Sequence, residues 1–435
     1  MITLTAMSAT GAKAISLREV SGRTAVFALC LGNAVEWYDF ALYGAFATVI
    51  GPLFFPAEDR STVMLAAFAT YGTALIVRPV GALLFGRMAD VRGRRAVLVP
   101  VILLMAGATA AVGFLPGYAA IGVIAPVILI LLRAAQGLAA GGELGVAGVF
   151  ILERAKTRHR GELASWHTST LALGLGSGMA LAALLFVVER ANPAEHGWWR
   201  LAFVLALPLG LVGMFVRRRV SETSQFLAVW QARETIKQPV PTLWANYRLA
   251  LIRGFALIAA GSLAFNTFFI FMPNHLAATM RLDTASTLSI SALTLLVAAA
   301  AAVTLGRLSD LVGRRPVAIW STAALAGLAA PMSIVASTSR LGLLFAQLAI
   351  GGAMAGVLLV AMVGELFPTP LRSTGMALSA GLATALIGGT APVVDQLLVT
   401  TVDVDIAPGL YVSLVACLAL LALWRWPETA FKPTI

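Results

Sequence analysis

The chain is poor in charge. Asp, Glu, Lys and Arg make up 12% of its 435 residues, against 59% hydrophobic residues and a mean hydropathy of +0.89. Soluble domains carry about twice that share of charge. The composition therefore excludes an ordinary soluble globule and indicates a polytopic membrane protein. Cysteine is scarce: Cys30 and Cys417 stand in apolar runs near opposite ends of the chain. That placement argues against a disulfide or a cysteine metal site and leaves two small packing residues. No Ser/His/Asp triad, metal-ligand cluster or Gly-rich loop followed by Lys-Ser/Thr is present, which speaks against an enzyme and against any metal or organic cofactor. No apolar core precedes the first run, so Lys13, Arg18 and Arg23 are expected to form a tail and not a cleaved leader. Acidic residues are outnumbered, 20 to 31, for a net charge of +11. Because the basic residues fall in short connections between apolar runs, the positive-inside rule accounts for them better than nucleic-acid binding does.

What the chain does have is a repeated polar turn. Residues 81–95 hold Arg87, Arg92, Arg94, Arg95 and Asp90 with Gly81, Gly86 and Gly93, between two long apolar runs. The order Gly, Arg, Asp, Gly, Arg, Arg returns at the same spacing in Gly306–Arg315, 220 residues later, around Asp310 and Arg314. A second echo places Glu153 seven residues before Arg160 and Glu365 seven before Arg372. A charged hairpin repeated half a chain later signals a duplicated membrane protein. Twelve spans are read at 24–50, 61–85, 96–115, 120–152, 162–188, 199–217, 250–276, 284–306, 316–336, 341–365, 373–400 and 408–426. The predicted fold is all-α, with twelve transmembrane helices in two pseudo-symmetric six-helix bundles, 1–216 and 250–435. A cytoplasmic linker, 217–249, joins them and carries a short amphipathic helix along the membrane surface. With the N-terminus inside, the inner connections and tails hold 24 of the 31 Lys and Arg and the outer connections five, so both termini are expected in the cytoplasm.

These motifs resemble the major facilitator superfamily, whose signature is the Gly-Arg-x-x-Asp-x-x-Gly-Arg-Arg turn after span 2. A finer resemblance runs to its metabolite:proton symporters. It rests on Gly32–Phe40, Arg78-Pro79, Ala135–Glu143, Ser165-Trp166 and Trp198–Arg200. The resemblance implies import of a small organic acid, amino acid or betaine across the bacterial cytoplasmic membrane, by alternating access and driven by the proton gradient. The functional unit it implies is one chain in the lipid bilayer. Residues 117–230 and Pro427–Ala430 also resemble proline/betaine transporters. Osmosensory members carry a long C-terminal coiled coil, for which a chain read to Ile435 leaves no room.

An ionisable residue at bilayer depth is a functional candidate by default. Glu36, Asp39 and Tyr43 share one helical stripe of span 1. Two carboxylates one turn apart in low dielectric repel, and a proton on one relieves the repulsion. Either is a candidate for proton coupling, and span 1 alone leaves the choice open; the structural alternative is a static pair with Arg133 or Arg78. Arg133 on span 4 needs an anion, either Glu36 or Asp39 or a substrate carboxylate. Alternation between them would couple substrate to proton. Candidate substrate contacts are Asn33, Trp37, Tyr43, Arg133, Gln136, His167 and Asn266. Glu143 reads as a structural partner, with Arg78 as its candidate mate; Arg78 itself reads as gating or packing. Asp395 in span 11 departs from the expected apolar pattern and is placed in a hydrated outer region. Gly174, Gly176 and Gly178 read as close helix packing. Asp90 with Glu153/Arg160, and Asp310 with Glu365/Arg372, are expected to act as cytoplasmic latches, with Gly86, Arg87, Arg94, Arg95, Gly306 and Arg314 around them. Such latches would bias the state by about 1–2 kcal/mol. The leading expectation is proton symport of an organic acid held by Arg133. The alternatives are a proline- or betaine-type zwitterion, proton-driven efflux, and a non-enzymatic membrane receptor or uncoupled channel.

Overall fold

The structure is a computed structural model and describes residues 22–58, 60–155, 157–191, 197–218, 220–232, 236, 238–280, 282–402 and 404–431. Lys13 and Arg18 of the tail, and Arg219, Glu234, Lys237 and Arg281 of the connections, lie outside them. Apolar runs of this length hide their backbone in a bilayer by pairing every N–H and C=O within a helix, and among the described residues there is no strand. Span 1 is Gly22–Ala45 continued by Ala47–Phe54; span 2 is Arg60–Arg92, span 3 Arg95–Phe114 and span 5 Arg160–Ala191. Span 4 is Ile124–Glu143 carried through a π-helical turn, Leu144–Gly148, into Val149–Arg154. Span 6 is Trp199–Val204 with Ala206–Arg217. Span 7 is Arg248–Phe265, a π-helical turn Asn266–Phe271, and Met272–Thr279. Spans 8 and 9 are Thr284–Val312 and Arg314–Ala336. Span 10 is Arg340–Val357 with Val360–Gly364. Span 11 is Arg372–Ala383, the π-helical turn Thr384–Gly388, and Ala391–Val402; span 12 is Ala407–Leu423. Spans 2 to 11 are ten helices long and apolar enough to cross a membrane by length and composition. Span 12 is apolar but shorter, at 17 residues.

Two readings are corrected here. The signature stretch is not a charged loop: span 2 continues as helix to Arg92 and span 3 starts at Arg95. The turn is made by Gly93 at φ 100°, and by Gly313 at φ 104° in the second half. Only glycine enters that region without strain, which is why a two-residue turn suffices. The linker carries two short helices, Ser224–Gln231 and Pro239–Asn246, where one was expected. The first is capped by Thr223, whose hydroxyl accepts from the Phe226 N–H at 3.2 Å.

The halves meet along two principal seams, span 5 against span 8 and span 2 against span 11. Small residues permit both. A side chain at Gly86 would stand 3.2 Å from the Thr374 Cα, and one at Gly306 would stand 2.4 Å from the Ser165 Cβ. Within the first half, side chains at Gly137 and Gly141 would lie 2.1 Å from the Ala74 and Arg78 carbonyls, so span 4 rides directly on span 2. Gly174 and Gly178 of span 5 sit in the same way against the Ala34 and Tyr38 carbonyls of span 1. Spans 4 and 10 depart from α geometry at matching depths, at Leu144–Gly148 and at Leu358. Irregular backbone in a membrane helix is tolerated where it is buried in protein or lines a cavity.

Candidate functional site

The Glu36–Asp39–Tyr43 stripe of span 1 does gather the buried charges, but into two clusters. Glu36 accepts from Arg78 Nη2 at 2.9 Å, with both side chains 6% exposed. Asp39 accepts from Arg133 Nη1 at 2.7 Å and from Gln136 Nε2 at 2.8 Å. Gln136 also donates to Thr109 Oγ1 at 3.0 Å and accepts from Arg133 Nη1 at 2.7 Å. Removing one member of such a buried pair leaves the other uncompensated and costs about 3–5 kcal/mol. The clusters are joined by Phe40, whose ring lies 4.7 Å from the Arg78 guanidinium and 5.1 Å from that of Arg133. Arg133 is further enclosed by the Tyr43 and Tyr71 rings, at 4.4 and 5.9 Å.

The first cluster faces a cavity. A space of about 60 Å³ lies between the two halves, lined by Asn33, Glu36, Trp37, Arg78, His167 and Thr168 from the first half, with apolar residues and Ser262 and Thr384 from the second. That volume has room for a few waters. Its wall includes Leu358, Leu359 and Val360, where span 10 breaks. Several polar atoms on the lining residues are buried without a hydrogen-bond partner: Asn33 Oδ1, Arg78 Nε and both ring nitrogens of His167. The Asn33 amide nitrogen is used, donating to the His167 carbonyl at 2.8 Å and to Thr170 Oγ1 at 3.1 Å. Trp37 meets Phe265 of span 7 edge-on at 5.9 Å and closes the space on one side. Beyond it, Tyr71 donates to Asn266 Oδ1 at 3.1 Å, a link between the halves.

The sequence reading of the site needs several corrections. Arg133, Gln136 and Tyr43 do not line the cavity, because Phe40 and Tyr71 close over them. The cavity's cation is Arg78, so it faces the cavity where a gating or packing role was expected. Asn266 stands at the link with Tyr71. Glu143 pairs with Arg217 and not with Arg78: Arg217 of span 6 inserts beneath Gly32 and reaches both Glu143 oxygens and the Leu98 carbonyl. Asp395 is wholly buried, and its one partner among the described residues is Thr267, whose hydroxyl donates to it at 2.7 Å.

The signature motifs converge at the opposite end of the halves from the Tyr71–Asn266 link. Asp90 accepts from the Ser373 and Thr374 N–H groups at 3.3 and 2.9 Å and from the Thr374 hydroxyl at 2.6 Å. It therefore caps the first turn of span 11 in the other half. Asp310 does the same for span 5, accepting from the Gly161 and Glu162 N–H groups at 2.9 and 2.8 Å. Each motif arginine steadies its own aspartate, Arg94 at 3.3 Å and Arg314 at 2.8 Å. The Glu–Arg pairs do not close within a half, as the sequence spacing suggested. They cross: Arg160 lies 3.3 Å from Glu365, and Arg372 lies 3.3 Å from Glu153. Arg94 and Arg314 complete the two clusters, at 3.1 Å from Glu153 and 3.3 Å from Glu365. Arg87 is exposed. Arg95 is exposed too, and its backbone N–H donates to Glu222 at 3.0 Å.

A second duplicated element supports these clusters. Glu222-Thr223 and Glu428-Thr429 are the same device, 206 residues apart. Thr223 donates to Glu153 at 2.6 Å, and Thr429 to Glu365 at 2.5 Å. Glu222 accepts from the Arg95 N–H, and Glu428 from the Arg314 and Arg315 N–H groups at 2.8 and 3.1 Å. The signal lay in a repeated Glu-Thr just past the sixth and twelfth spans.

A duplicated helical bundle with a small cavity between its halves and an ion pair in the cavity wall has the architecture of a secondary transporter. The chain belongs to the Major Facilitator Superfamily, whose profile matches residues 29–392. It is 32% identical to the proline/betaine transporter of Salmonella typhimurium, across 94% of this chain and 84% of that one. It is 32% identical to the alpha-ketoglutarate permease of Escherichia coli, across 90% of each chain. The citrate-proton symporter of Klebsiella pneumoniae is 30% identical, across 92% of this chain and 88% of the relative. A solved structure, the proton:xylose symporter XylE bound to 6-bromo-6-deoxy-D-glucose, superposes with a TM-score of 0.75 over 95% of this chain and 97% of that one; at 17% identity it speaks to the fold alone. The protein is thus a multi-pass inner-membrane transporter of a proton-coupled family, and not an enzyme.

Proposed function

We propose that this chain is a proton symporter that imports a small zwitterion, a carboxylate joined to a cationic nitrogen, with the proton gradient as its only driving force. The observation that carries the reading is the charge of the cavity wall: one arginine, Arg78, already paired with one carboxylate, Glu36. A zwitterion adds no net charge to such a wall. Its carboxylate takes the Arg78 fork, and its cation takes Glu36 and the face of Trp37, the favoured ring for a substituted ammonium. A di- or tricarboxylate would bring two or three negative charges to a single guanidinium, and the excess is costly at this depth. The apolar remainder of the lining suits an aliphatic body. His167 and Asn33, with free polar atoms, are the candidates for orienting it.

The proton role falls to Asp39 in this reading. Asp39 is sealed from the cavity and held by Arg133, so it exchanges protons without competing for substrate. Protonation of Asp39 frees Arg133, loosens the ring cage around it, and so reaches the Tyr71–Asn266 link to the other half. The motif end is assigned to the cytoplasm by its excess of Lys and Arg, which puts both termini inside. Its crossed pairs hold that side shut, and the functional unit is a single chain.

The test is uptake into proteoliposomes of proline, glycine betaine, α-ketoglutarate and citrate, with and without an inward proton gradient. Gradient-driven accumulation of proline or betaine is expected. Uptake indifferent to the gradient overturns symport. Accumulation of the carboxylates alone overturns the zwitterion assignment in favour of an organic acid, the reading that the alpha-ketoglutarate and citrate relatives support.

A further inference from the structure

The proposed mechanism leaves one buried acid unused. Among the described residues, the other wholly buried carboxylates of the spans and their ends each have an arginine within reach, whereas Asp395 has none. Its Oδ2 accepts from Thr267, and its Oδ1 has no hydrogen-bond partner among the described residues. The groups around it offer no compensation. Span 2 presents Ala67 and Phe68 to this part of span 11, beside Val393. The titratable neighbour from span 12 is the Tyr411 phenol, while the His275 ring of span 7 stacks on Phe271 at 5.2 Å and has Asp405 as its acidic neighbour. An ionised carboxylate with one donor and no cation is strongly disfavoured at such a place, whereas a neutral acid is not. The position is also connected. Thr267 is the residue after Asn266, and both belong to the π-helical turn of span 7. One residue of that turn holds Asp395 and its neighbour holds Tyr71 of the other half. Single π-helical turns inside α-helices recur at functional positions.

We propose that Asp395 is a second proton-binding site, which holds its proton at Oδ1 while the Asn266–Phe271 turn is packed on span 11 and releases it when that turn moves away. The chemistry is one O–H bond formed from a water-borne proton and later returned to water, with no change of oxidation state. This extends the symport reading: the first half carries one proton at Asp39 and the second half carries another at Asp395. Movement of the turn breaks the Tyr71 link and opens the Asp395 site in one step, so the second proton leaves only when the halves part.

The experiment uses the full chain and two readouts. In infrared difference spectra between acid and alkaline pH, the wild type is expected to show a protonated carboxyl band that Asp395→Asn lacks and Asp39→Asn keeps. This readout needs no substrate, so it stands even where the symport reading fails. In proteoliposomes, reversal potentials with proline are expected to give two protons per substrate for the wild type and one for Asp395→Asn, with counterflow exchange retained. A band unchanged in Asp395→Asn, or an unchanged proton ratio, overturns the proposal. Should Asp395→Asn not fold, Thr267→Val carries the test. It keeps the acid but removes the donor to its charged form, so the titration of the band moves to higher pH by about one unit. A titration that stays where it was overturns the proposal equally.

Discussion

The crossed pairs at the motif end allow a quantitative test. Arg372 of the second half lies 3.3 Å from Glu153 of the first, which corresponds to about 5 kcal/mol of attraction at an effective dielectric of 20, before desolvation is subtracted. Arg372→Met keeps much of the side-chain volume and removes the charge. Glu153 is not then abandoned, since Arg94 remains at 3.1 Å and the Thr223 hydroxyl at 2.6 Å. The loss is therefore below the full cost of a broken buried pair, and about 2 kcal/mol is a fair figure, a roughly 30-fold shift toward the state open at that end. Glu153→Gln is harsher, because it strips the carboxylate from both Arg94 and Arg372; about 3–5 kcal/mol and a shift well above 100-fold are expected. The reporter is Ser165→Cys in a chain with Cys30 and Cys417 replaced by alanine. Ser165 is wholly buried where span 5 meets Gly306, away from both altered side chains, and serine to cysteine is nearly isosteric. A membrane-impermeant maleimide applied to the cytoplasmic face labels it only while that seam is open. When opening is fast relative to labelling, the rate follows the open population. Labelling that rises in the order wild type, Arg372→Met, Glu153→Gln supports the latch. Rates within twofold of one another in all three would refute it.

Other expectations follow from the same geometry. Asp39→Asn should retain counterflow exchange at near the wild-type rate and fall from two coupled protons per substrate to the one at Asp395, measured by reversal potential; a ratio that stays at two would move the first proton to Glu36. Arg78→Lys should weaken zwitterion binding by about tenfold or more in a competition assay, because a point charge replaces the fork that meets a carboxylate at two points; Arg133→Lys should leave that affinity within a few-fold. Glu428 lies outside the spans. Burial works against its charge, but the N–H groups of Ala430, Arg314, Arg315 and Thr429 outweigh that and hold its carboxyl below the usual glutamate range. A lowered value means that its anchoring of the C-terminal segment is complete above about pH 4.3 and fades only as pH falls through the lower folded value. Protection of that segment from protease should therefore persist as pH is lowered from 7 to 5, and it should be weaker throughout in Glu428→Gln.

Much of the architecture was legible in the chain itself because membrane insertion is a local property. A run of some twenty apolar residues must be a helix wherever it falls, and the excess of Lys and Arg in alternate connections orders the runs. The duplication was equally legible, since Gly86/Gly306, Asp90/Asp310 and Glu153/Glu365 recur at nearly constant separation. Candidate charges were legible too, because few residues explain a Glu, Asp or Arg at that depth. What failed was pairing. Glu36 and Asp39 share a stripe, but their partners come from spans 2 and 4. No spacing within span 1 says that Arg78 takes the first and Arg133 the second.

The sequence alone determined a duplicated, twelve-span membrane protein with two polar turns on one side and a short roster of buried charges. The tertiary structure decided which of those charges meets the cavity. The reason is steric: Phe40 and Tyr71 close over Arg133, and Gly137 and Gly141 let span 4 lie so close to span 2 that Arg78 is turned toward Glu36 and the centre. The structure also decided that the latches cross between halves. A Glu and an Arg seven residues apart within one half are separated by a turn, whereas the pseudo-symmetric packing of spans 2 and 11, and of spans 5 and 8, brings each Glu to the other half's Arg. That exchange turns a repeated motif into a contact between halves, which a chain read residue by residue does not contain.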